Sequence, residues 1–593
     1  MALTPQQREQ QFKDAEELLF KDASKLGFVK ALFFGYFNYE LAFPYPELPA
    51  EQQQASDEAV AAVKAFCDAK VDAAQIDRDC GFTVEVVRGL ADLGVLGMTV
   101  PTEYGGKGFN QQQYCRILEV IGAADAGLGI FVNAHHSIGL RAFLLEGSAE
   151  QKQKYLPAMA RGQHIGAFAL TEPEAGSDAA GVQTTARLSE DGQYYILNGR
   201  KRYITNAALA DVMTLMAKTP VPGKEKPEIT AFILEPKKVQ GIEWIHQNQP
   251  KCGVRGTWQG EFILKDVRIP KENVLGKLGK GLKLALSVLN FGRTTFGATC
   301  TGAAKVCVAA AARHANTRRQ FDQYLGDFEM VKKKLAHMAA DTFAMESATY
   351  HCASLVDRGF GDYMLETAIL KVFASDALWR IVNDCIQIFG GAAYFSDLPY
   401  ERMMRDARIN LIGEGANDVM RSFIAMYGMG NVGKVVDDAL KTPLIGLGAL
   451  FKFASSRVVA RFKTPEVPVK HPSLKEHASQ LAQRVKDFGM AVESVLRKHQ
   501  KLILERQYVQ ERIADAAIEL YMSTCVLTRL DLMLSKTMVN QHDVTTGKFY
   551  LRAANRRIKQ RLDELWENDD AETTVAADSL LSLYKPAAGN GAK

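Results

Sequence analysis

The sequence predicts a multidomain α+β protein: an N-terminal α-helical domain, a middle β-domain, a C-terminal helical bundle and an extra C-terminal helical domain. Three observations predict it. Between 165 and 275 the apolar period is two, with candidate strands at 182–188, 194–197, 201–205, 212–217, 229–234 and 261–264. Short strands at regular spacing make a small β-domain and not a parallel sheet. On both sides the helical period returns, as where Val331, Leu335, Met338, Thr342 and Met345 alternate by four and three. The chain, at 593 residues, is also long enough for several cores.

Taken in order, residues 1–57 form a leader arm. Thr4-Pro5 reads as an N-cap with Pro at the first helical position, and the aromatic run Phe33-Phe34-Gly35-Tyr36-Phe37 stops at Phe43-Pro44-Tyr45-Pro46. Such an arm is expected to pack along its own domain. Residues 58–164 form the N-terminal α-helical domain, with helices around 118–121 and 128–139. His135 and His136 are adjacent and cannot share one helix face as ligands at i,i+4 do, so both read as structural.

In the β-domain, 165–275, the apolar run from Ile165 to Thr171 gives a strand. The loop Glu172-Pro173-Glu174-Ala175-Gly176-Ser177-Asp178 follows it. Asn198-Gly199 tolerates positive φ and predicts a tight hairpin joining the strands on either side.

The bundle is assigned to 276–432 as a four-helix-bundle domain and the helical extension to 433–593. In the extension, 444–453 is apolar and is followed by Arg457, Arg461 and Lys463, a composition suited equally to a helix in a membrane interface and to one packed on the next domain. A linker at 464–468 follows, then a capping box of Ser473 with Glu476 and helices near 504–533 and 541–566. Residues after about 569 read as frayed.

Net charge is +4, nearly neutral for this length, which argues against a nucleic-acid partner. Nine scattered cysteines, with no C-x-x-C pair and no Cys/His spacing for zinc, fit reduced thiols and no metal. No apolar run is counted as transmembrane, and the acidic N-terminus lacks a signal core. The expected location is cytoplasmic, peripheral on the inner face of the membrane through 444–463. No G-x-G-x-x-G joins a strand to a helix, so a dinucleotide would not be held in Rossmann fashion.

The stretches Phe168-Ala-Leu-Thr-Glu-Pro-Glu-Ala-Gly-Ser-Asp and Asn198-Gly-Arg-Lys-Arg-Tyr-Ile-Thr-Asn resemble the signature of the acyl-CoA dehydrogenase family. Arg318-Arg319-Gln320-Phe321, Gln387-Ile388-Phe389-Gly390-Gly391 and Glu414-Gly415-Ala416-Asn417-Asp418 resemble further landmarks in the same order. The leader and extension are similar to those of the very-long-chain and acyl-CoA dehydrogenase 9-like branch.

The resemblance implies FAD along the strand Phe168–Thr171, with Leu170 and Thr171 on the ring's polar edge and Tyr203 and Thr205 beside the ring. Ser177 would touch cofactor and CoA. Arg318 and Phe321 would meet pyrophosphate and adenine across a subunit boundary, with Gln387, Gly390 and Gly391 approaching from the neighbour in a homodimer. Ala416, where the family has Thr, and Asp418 belong to the same cofactor-binding set. Asp322 and Ala393 stand where the family has Gly.

The implied reaction is α,β-desaturation of a long-chain fatty acyl-CoA in β-oxidation. Glu414 would act as the base, a β-hydride would pass to the flavin, and electrons would go on to an electron-transfer flavoprotein. The thioester oxygen would be held by the cofactor's ribityl chain and the base's own backbone N–H. Another branch places the base at the position of Gly292, which excludes that location here. Asn290, Arg293 and Gly415 join the substrate set. Gly129 and Asn133 would wall the far end of the acyl pocket, Gly129 lengthening it and Asn133 limiting its reach. Two alternatives stand beside this reading: an acyl-CoA oxidase, and a non-catalytic assembly or binding protein on the same scaffold.

Overall fold

The computed structural model describes residues 26–441, 464–536 and 539–585. Helices α1 (Ala50–Lys70), α2 (Gln111–Ala124), α3 (Ala126–Asn133) and α4 (Ala149–Ala160) build the first layer with shorter helices between them. Asn110 and Gln113 form a reciprocal cap at the start of α2, and Asp125 accepts from Leu128 N–H at the start of α3. After α3 the backbone widens into a π-helical turn, Ala134–Leu140. Inside it His135 Nε2 donates to the carbonyls of Leu96 and Met159 while Nδ1 accepts from Gly166 N–H, so this histidine is a buried tie between helix and sheet.

Eight strands follow: β1 (Gly166–Ala169), β2 (Thr185–Leu188), β3 (Tyr194–Thr205), β4 (Val212–Thr219), β5 (Glu228–Leu234), β6 (Ile242–His246), β7 (Gln259–Pro270) and β8 (Val274–Leu275). Their order is β6-β7-β3-β2-β4-β5-β8, with β1 on β4. Most pairs are antiparallel, but β1 and β2 both run parallel to β4, so the sheet is mixed. The strand β6 has no counterpart in the sequence reading.

The expected Asn198-Gly199 hairpin is not formed. β3 runs straight through it, with a register shift against β7 between Leu197 and Gly199. The Asn198 side chain closes the bulge, donating to Asp266 Oδ1 at 2.9 Å and accepting from Asp266 N–H at 2.9 Å. Glycine is required beside it because a Cβ at 199 would lie 2.4 Å from Thr184 Oγ1. The dipeptide therefore serves close strand packing, not chain reversal.

The second helical layer holds α5 (Gly281–Thr317), a small hairpin of β9 (Arg319–Gln320) and β10 (Gln323–Tyr324), α6 (Glu329–Asp357), α7 (Met364–Phe389), α8 (Tyr400–Arg408) and α9 (Asn417–Lys441). The extension adds α10 (Lys475–His499), α11 (Gln507–Leu534), α12 (Gln541–Asp563) and α13 (Asp570–Leu583). Helix α1 runs through the boundary drawn at 57, and α9 through the one at 432.

Bundle and extension share one apolar core, in which Phe28, Phe33, Phe373, Phe488, Tyr521 and Tyr550 all lie. The arm is part of that core. Phe33 meets Phe488 edge-on at 5.0 Å and Phe28 lies 6.1 Å from Tyr521, so the aromatic part of the arm packs on the extension, while Gln52 and Asp57 at its end bond to Asn110 and Arg116 of the N-terminal domain. Ser473 does not cap α10; His471 Nδ1 accepts from Ser473 N–H instead. Within the stretch after 569, Asp570–Leu583 is helical, with no buried residue, and is joined to α11 by the Arg512–Asp570 pair. The N-cap at Thr4-Pro5 and the segment 444–463 lie outside the described residues. Two helical stretches, Ala126–Glu146 and Gly281–Thr317, are long and apolar enough to cross a membrane, but both are mostly buried within the protein, where core packing accounts for their composition.

Candidate active site

Between α8 and α9 the chain turns at Gly413-Glu414-Gly415, with Glu414 at φ 57° and Gly415 at φ 100°. A side chain at 415 would also lie 2.7 Å from Met420 Sδ, so the turn needs its glycine. Holding a glutamate in the left-handed region costs of order 1 kcal/mol and persists only where surroundings fix it. The carboxylate points at α5 and α3. Its Oε1 accepts from Asn133 Nδ2 at 3.3 Å, and its Oε2 has no partner among the described residues. Burial pushes its pKa up, against the lowering effect of Arg293, Lys371 and the Asn133 hydrogen bond.

Gly292 faces this carboxylate: a Cβ placed there would be 3.5 Å from Glu414 Oε2. The two chain positions that can carry a base therefore converge on one point, and only Glu414 has the side chain. Arg293, buried, donates to Asn290 Oδ1 at 3.2 Å, and its Nε has no partner. Behind the turn, the buried Lys371 Nζ donates to the Gly415 carbonyl at 2.6 Å and to Asn417 Oδ1 at 2.8 Å. Burial brings its pKa down to about 8, with Glu414 opposing that shift. Sequence reasoning missed Lys371; the signal was a lone cation within the apolar run 368–374 of α7.

Asn133 and Gly129, expected at the end of the acyl pocket, both lie where α3 meets α5. Asn133 lies against the carboxylate itself, its Oδ1 accepting from Thr295 Oγ1 at 2.5 Å so that its amide N–H faces Glu414. A Cβ at Gly129 would meet Thr299 Cγ2 at 2.7 Å, so this glycine is accounted for by the close crossing of α3 over α5.

The second group of expected residues lies on the β-domain. Phe168 is buried, Leu170, Thr171 and Thr205 are half-buried, and Ser177 and Tyr203 are exposed. Thr171 O accepts from Arg202 N–H at 3.0 Å, which fastens the loop to β3. Tyr203, at φ 58°, stands out from the strand with the Arg202 guanidinium 4.6 Å from its ring. Beneath the loop Glu172 is the anchor. It accepts from Lys201 Nζ at 2.7 Å and from Gln183 and Thr184 N–H, and the two side chains are only 2 % and 0 % exposed. Burial would raise the Glu172 pKa, but Lys201 and these donors hold it below the usual carboxylate range. Lys201 is brought down to about 8 by its burial.

Arg318, Phe321, Gln387, Gly390 and Gly391 form a third group, all exposed. Phe389 stacks on His314 at 4.1 Å, which joins the ends of α7 and α5 and brings these residues together. Phe321 is 88 % exposed, and both Phe321 and Asp322 take positive φ, so the hairpin turn forms without the family's glycine. Arg293 lies within α5 and Arg318 just past its end, roughly 37 Å apart along the axis at 1.5 Å per residue. The third group is therefore not gathered with Glu414 within one chain. Of the remaining pair beside the base, Ala416 is half-buried and Asp418 is exposed in the first turn of α9.

Three family models match in series: "Acyl-CoA dehydrogenase, N-terminal domain" over 51–163, the middle domain over 167–267 and the C-terminal domain over 279–429. The rat very long-chain specific acyl-CoA dehydrogenase, mitochondrial, is 37 % identical, the match covering 92 % of this chain and 85 % of that protein. The human protein of that name is 38 % identical over 92 % and 85 %. The crystal structure of an acyl-CoA dehydrogenase complexed with FAD from Bacillus anthracis superposes with a TM-score of 0.78 at 30 % identity, covering 94 % of this chain and 96 % of the other. The chain belongs to the acyl-CoA dehydrogenase family and is an FAD-dependent oxidoreductase of that class. A fourth model, "ACAD9/ACADV, C-terminal domain", matches 472–581, so the extension is also a family feature.

The residues present fit FAD. Tyr203 offers an uncovered aromatic face and Ser177 an exposed hydroxyl on the β-domain, while Arg318 supplies an exposed guanidinium for phosphate and Gly390, at φ 66°, an open backbone.

Proposed function

We propose that this protein dehydrogenates long-chain fatty acyl-CoA to the trans-2-enoyl-CoA in β-oxidation and passes the electrons to an electron-transfer flavoprotein. Acyl-CoA dehydrogenation follows from the family; the long chain and the acceptor are the proposal. Relatives named for very long chains support the first.

One observation carries the mechanism: the Glu414 carboxylate has one buried oxygen without a hydrogen-bond partner among the described residues, and that oxygen faces Gly292, which has no side chain to cover it. Glu414 Oε2 takes the α-proton, and Asn133 holds the other oxygen so that the free one faces the substrate. The Glu414 N–H makes no hydrogen bond among the described residues and is free for the thioester oxygen, where negative charge develops. Burial of Glu414 brings its proton affinity toward that of the carbon acid it opposes. FAD, when bound, supplies the hydride acceptor for the β-carbon, with Thr171, Ser177, Tyr203 and Thr205 along it.

A homodimer belongs to this proposal. With the third group roughly 37 Å along α5 from Arg293, one chain's Arg318 and Gln387–Gly391 are placed to serve the partner's cofactor. Peripheral membrane association through 444–463 is also part of it and rests on composition alone.

The test is anaerobic addition of acyl-CoAs of graded length to the yellow holoenzyme, following loss of flavin colour. Bleaching fastest on long chains, and absent in Glu414→Gln, is expected. A rate highest on four- to six-carbon chains overturns the chain-length reading, and normal bleaching of Glu414→Gln overturns the base. Sedimentation with anionic liposomes, lost on replacing Leu447, Leu450 and Phe451 by Ser, tests the membrane segment.

A further inference from the structure

We infer that the C-terminal extension sets the position of the loop carrying Glu414 through Asp515, which makes Asp515 a positioning residue for proton abstraction. The inference rests on the reading of Glu414 as the base.

An unbroken chain of alternating charge joins the two. On α12 Arg561 Nε lies 3.2 Å from Asp515 Oδ2, and Asp515 is on α11. Asp515 Oδ1 accepts from Arg421 Nε of α9 at 2.8 Å. The other edge of the same guanidinium donates from Nη2 to Asp376 Oδ2 of α7 at 2.7 Å. Asp376 Oδ1 accepts from Asn417 Nδ2 at 2.8 Å, and Asn417 Oδ1 accepts from Lys371 Nζ at 2.8 Å. Lys371 Nζ ends the chain on the Gly415 carbonyl at 2.6 Å, one residue from Glu414.

Each link fixes the next. An amide has one acceptor and one donor end. Because Asp376 takes the Asn417 N–H, the oxygen must face Lys371. Asp376 in turn is held by Arg421, whose planar fork spans the two carboxylates in a fixed geometry. The terminal link bears on a backbone that needs holding, since Glu414 and Gly415 both lie at positive φ. Without Asp515, Arg421 keeps one carboxylate and is free to turn toward it. Turned onto Asp376, Arg421 competes for the oxygen that takes the Asn417 N–H; Asn417 keeps its 2.9 Å bond to Ser375 Oγ, and the weakened hold on its amide is passed to Lys371.

The experiment uses the full-length FAD-loaded protein and hexadecanoyl-CoA under anaerobic conditions, measuring the limiting bleaching rate, the half-saturating substrate concentration and the pH profile. Asp515→Asn is expected to lower the limiting rate between about threefold and thirtyfold and to shift its pH limb, with half-saturation unchanged and recovery in Asp515→Glu. Arg421→Lys, which keeps the charge but loses the planar fork that fixes both carboxylates, is expected to do the same and serves if Asp515→Asn does not fold. The control is Arg529→Gln, which breaks another tie between extension and bundle, Arg529 to Glu346 at 2.8 Å, remote from the loop. It is expected to lower the melting temperature and leave the pH limb in place.

Wild-type bleaching in Asp515→Asn or Arg421→Lys, or an equal effect of Arg529→Gln, overturns the inference. Glu414→Gln, measured beside them, separates the two failures: if it too bleaches normally, the base assignment has failed, and if it is dead, only the role of Asp515 has.

Discussion

Asn133 donates its side-chain amide to Glu414 Oε1 at 3.3 Å, and Thr295 fixes which end of the amide does so. Asn133 is thus a partner of the base. Asn133→Ala removes a donor that favours the ionised form, so the pKa of Glu414 should rise further. The pH limb of flavin bleaching should move upward, and the rate below it should fall about fivefold for a hydrogen bond of ~1 kcal/mol. A stopped-flow pH profile checks this.

Glu414 also has a stability signature. Its pKa is raised in the fold, so the folded protein holds this proton more tightly than the unfolded chain. The associated stability is present in full below the ordinary carboxylate pKa and is lost as pH rises through the raised one. At neutral pH the ionised carboxylate is therefore a cost. Glu414→Gln should melt above wild type at pH 8, and the gap should close as pH falls toward about 4. Melting curves of both holoproteins across that range decide it.

Lys201 and Glu172 form the buried pair under the loop that precedes Ser177. Lys201→Met leaves a buried carboxylate without its cation and should destabilise by about 3 kcal/mol or more. The double variant Lys201→Met/Glu172→Gln should recover part of that loss. FAD retention on a desalting column should follow the same order, since the loop lines the proposed cofactor face.

Gly129 separates two explanations of one residue. If it serves helix crossing, Gly129→Ala should cost about 1–3 kcal/mol through contact with Thr299 Cγ2. Thr299→Ser, which removes that methyl, should restore stability in the double variant. Loss of the acyl-length optimum with no change in melting temperature would return Gly129 to the pocket.

Much of this site was legible because it is written in short contiguous runs. Glu414 between two glycines, the loop from Thr171 to Ser177 and the Arg318–Phe321 element each announce themselves within a few residues. The layer order was legible from periodicity alone. What escaped is chemistry split across the chain. Lys201 sits between Arg200 and Arg202, and nothing local marks it as the one of the three that is buried. Asn198-Gly199 carries the strongest hairpin signal in the sequence, yet Asp266, 68 residues away, turned it into a bulge. Asn133 reads as a polar residue near an acyl pocket until Glu414, 281 residues on, is placed beside it. The order of links from Asp515 to Gly415 runs through three helices and has no linear trace at all.

The arm has a consequence for the order in which the molecule is made. Val29 N–H donates to Glu366, 337 residues later, and Phe33 rests on Phe488, near the end of the chain. The arm leaves the ribosome well before the surface that covers it. Through most of translation Phe28, Phe33 and Phe37 have no core to enter, so the nascent chain carries a sticky leading end that calls for chaperone cover. Closure of the arm is accordingly a late event in maturation, and a chain released before α10 and α11 would expose its aromatic face with no means of hiding it.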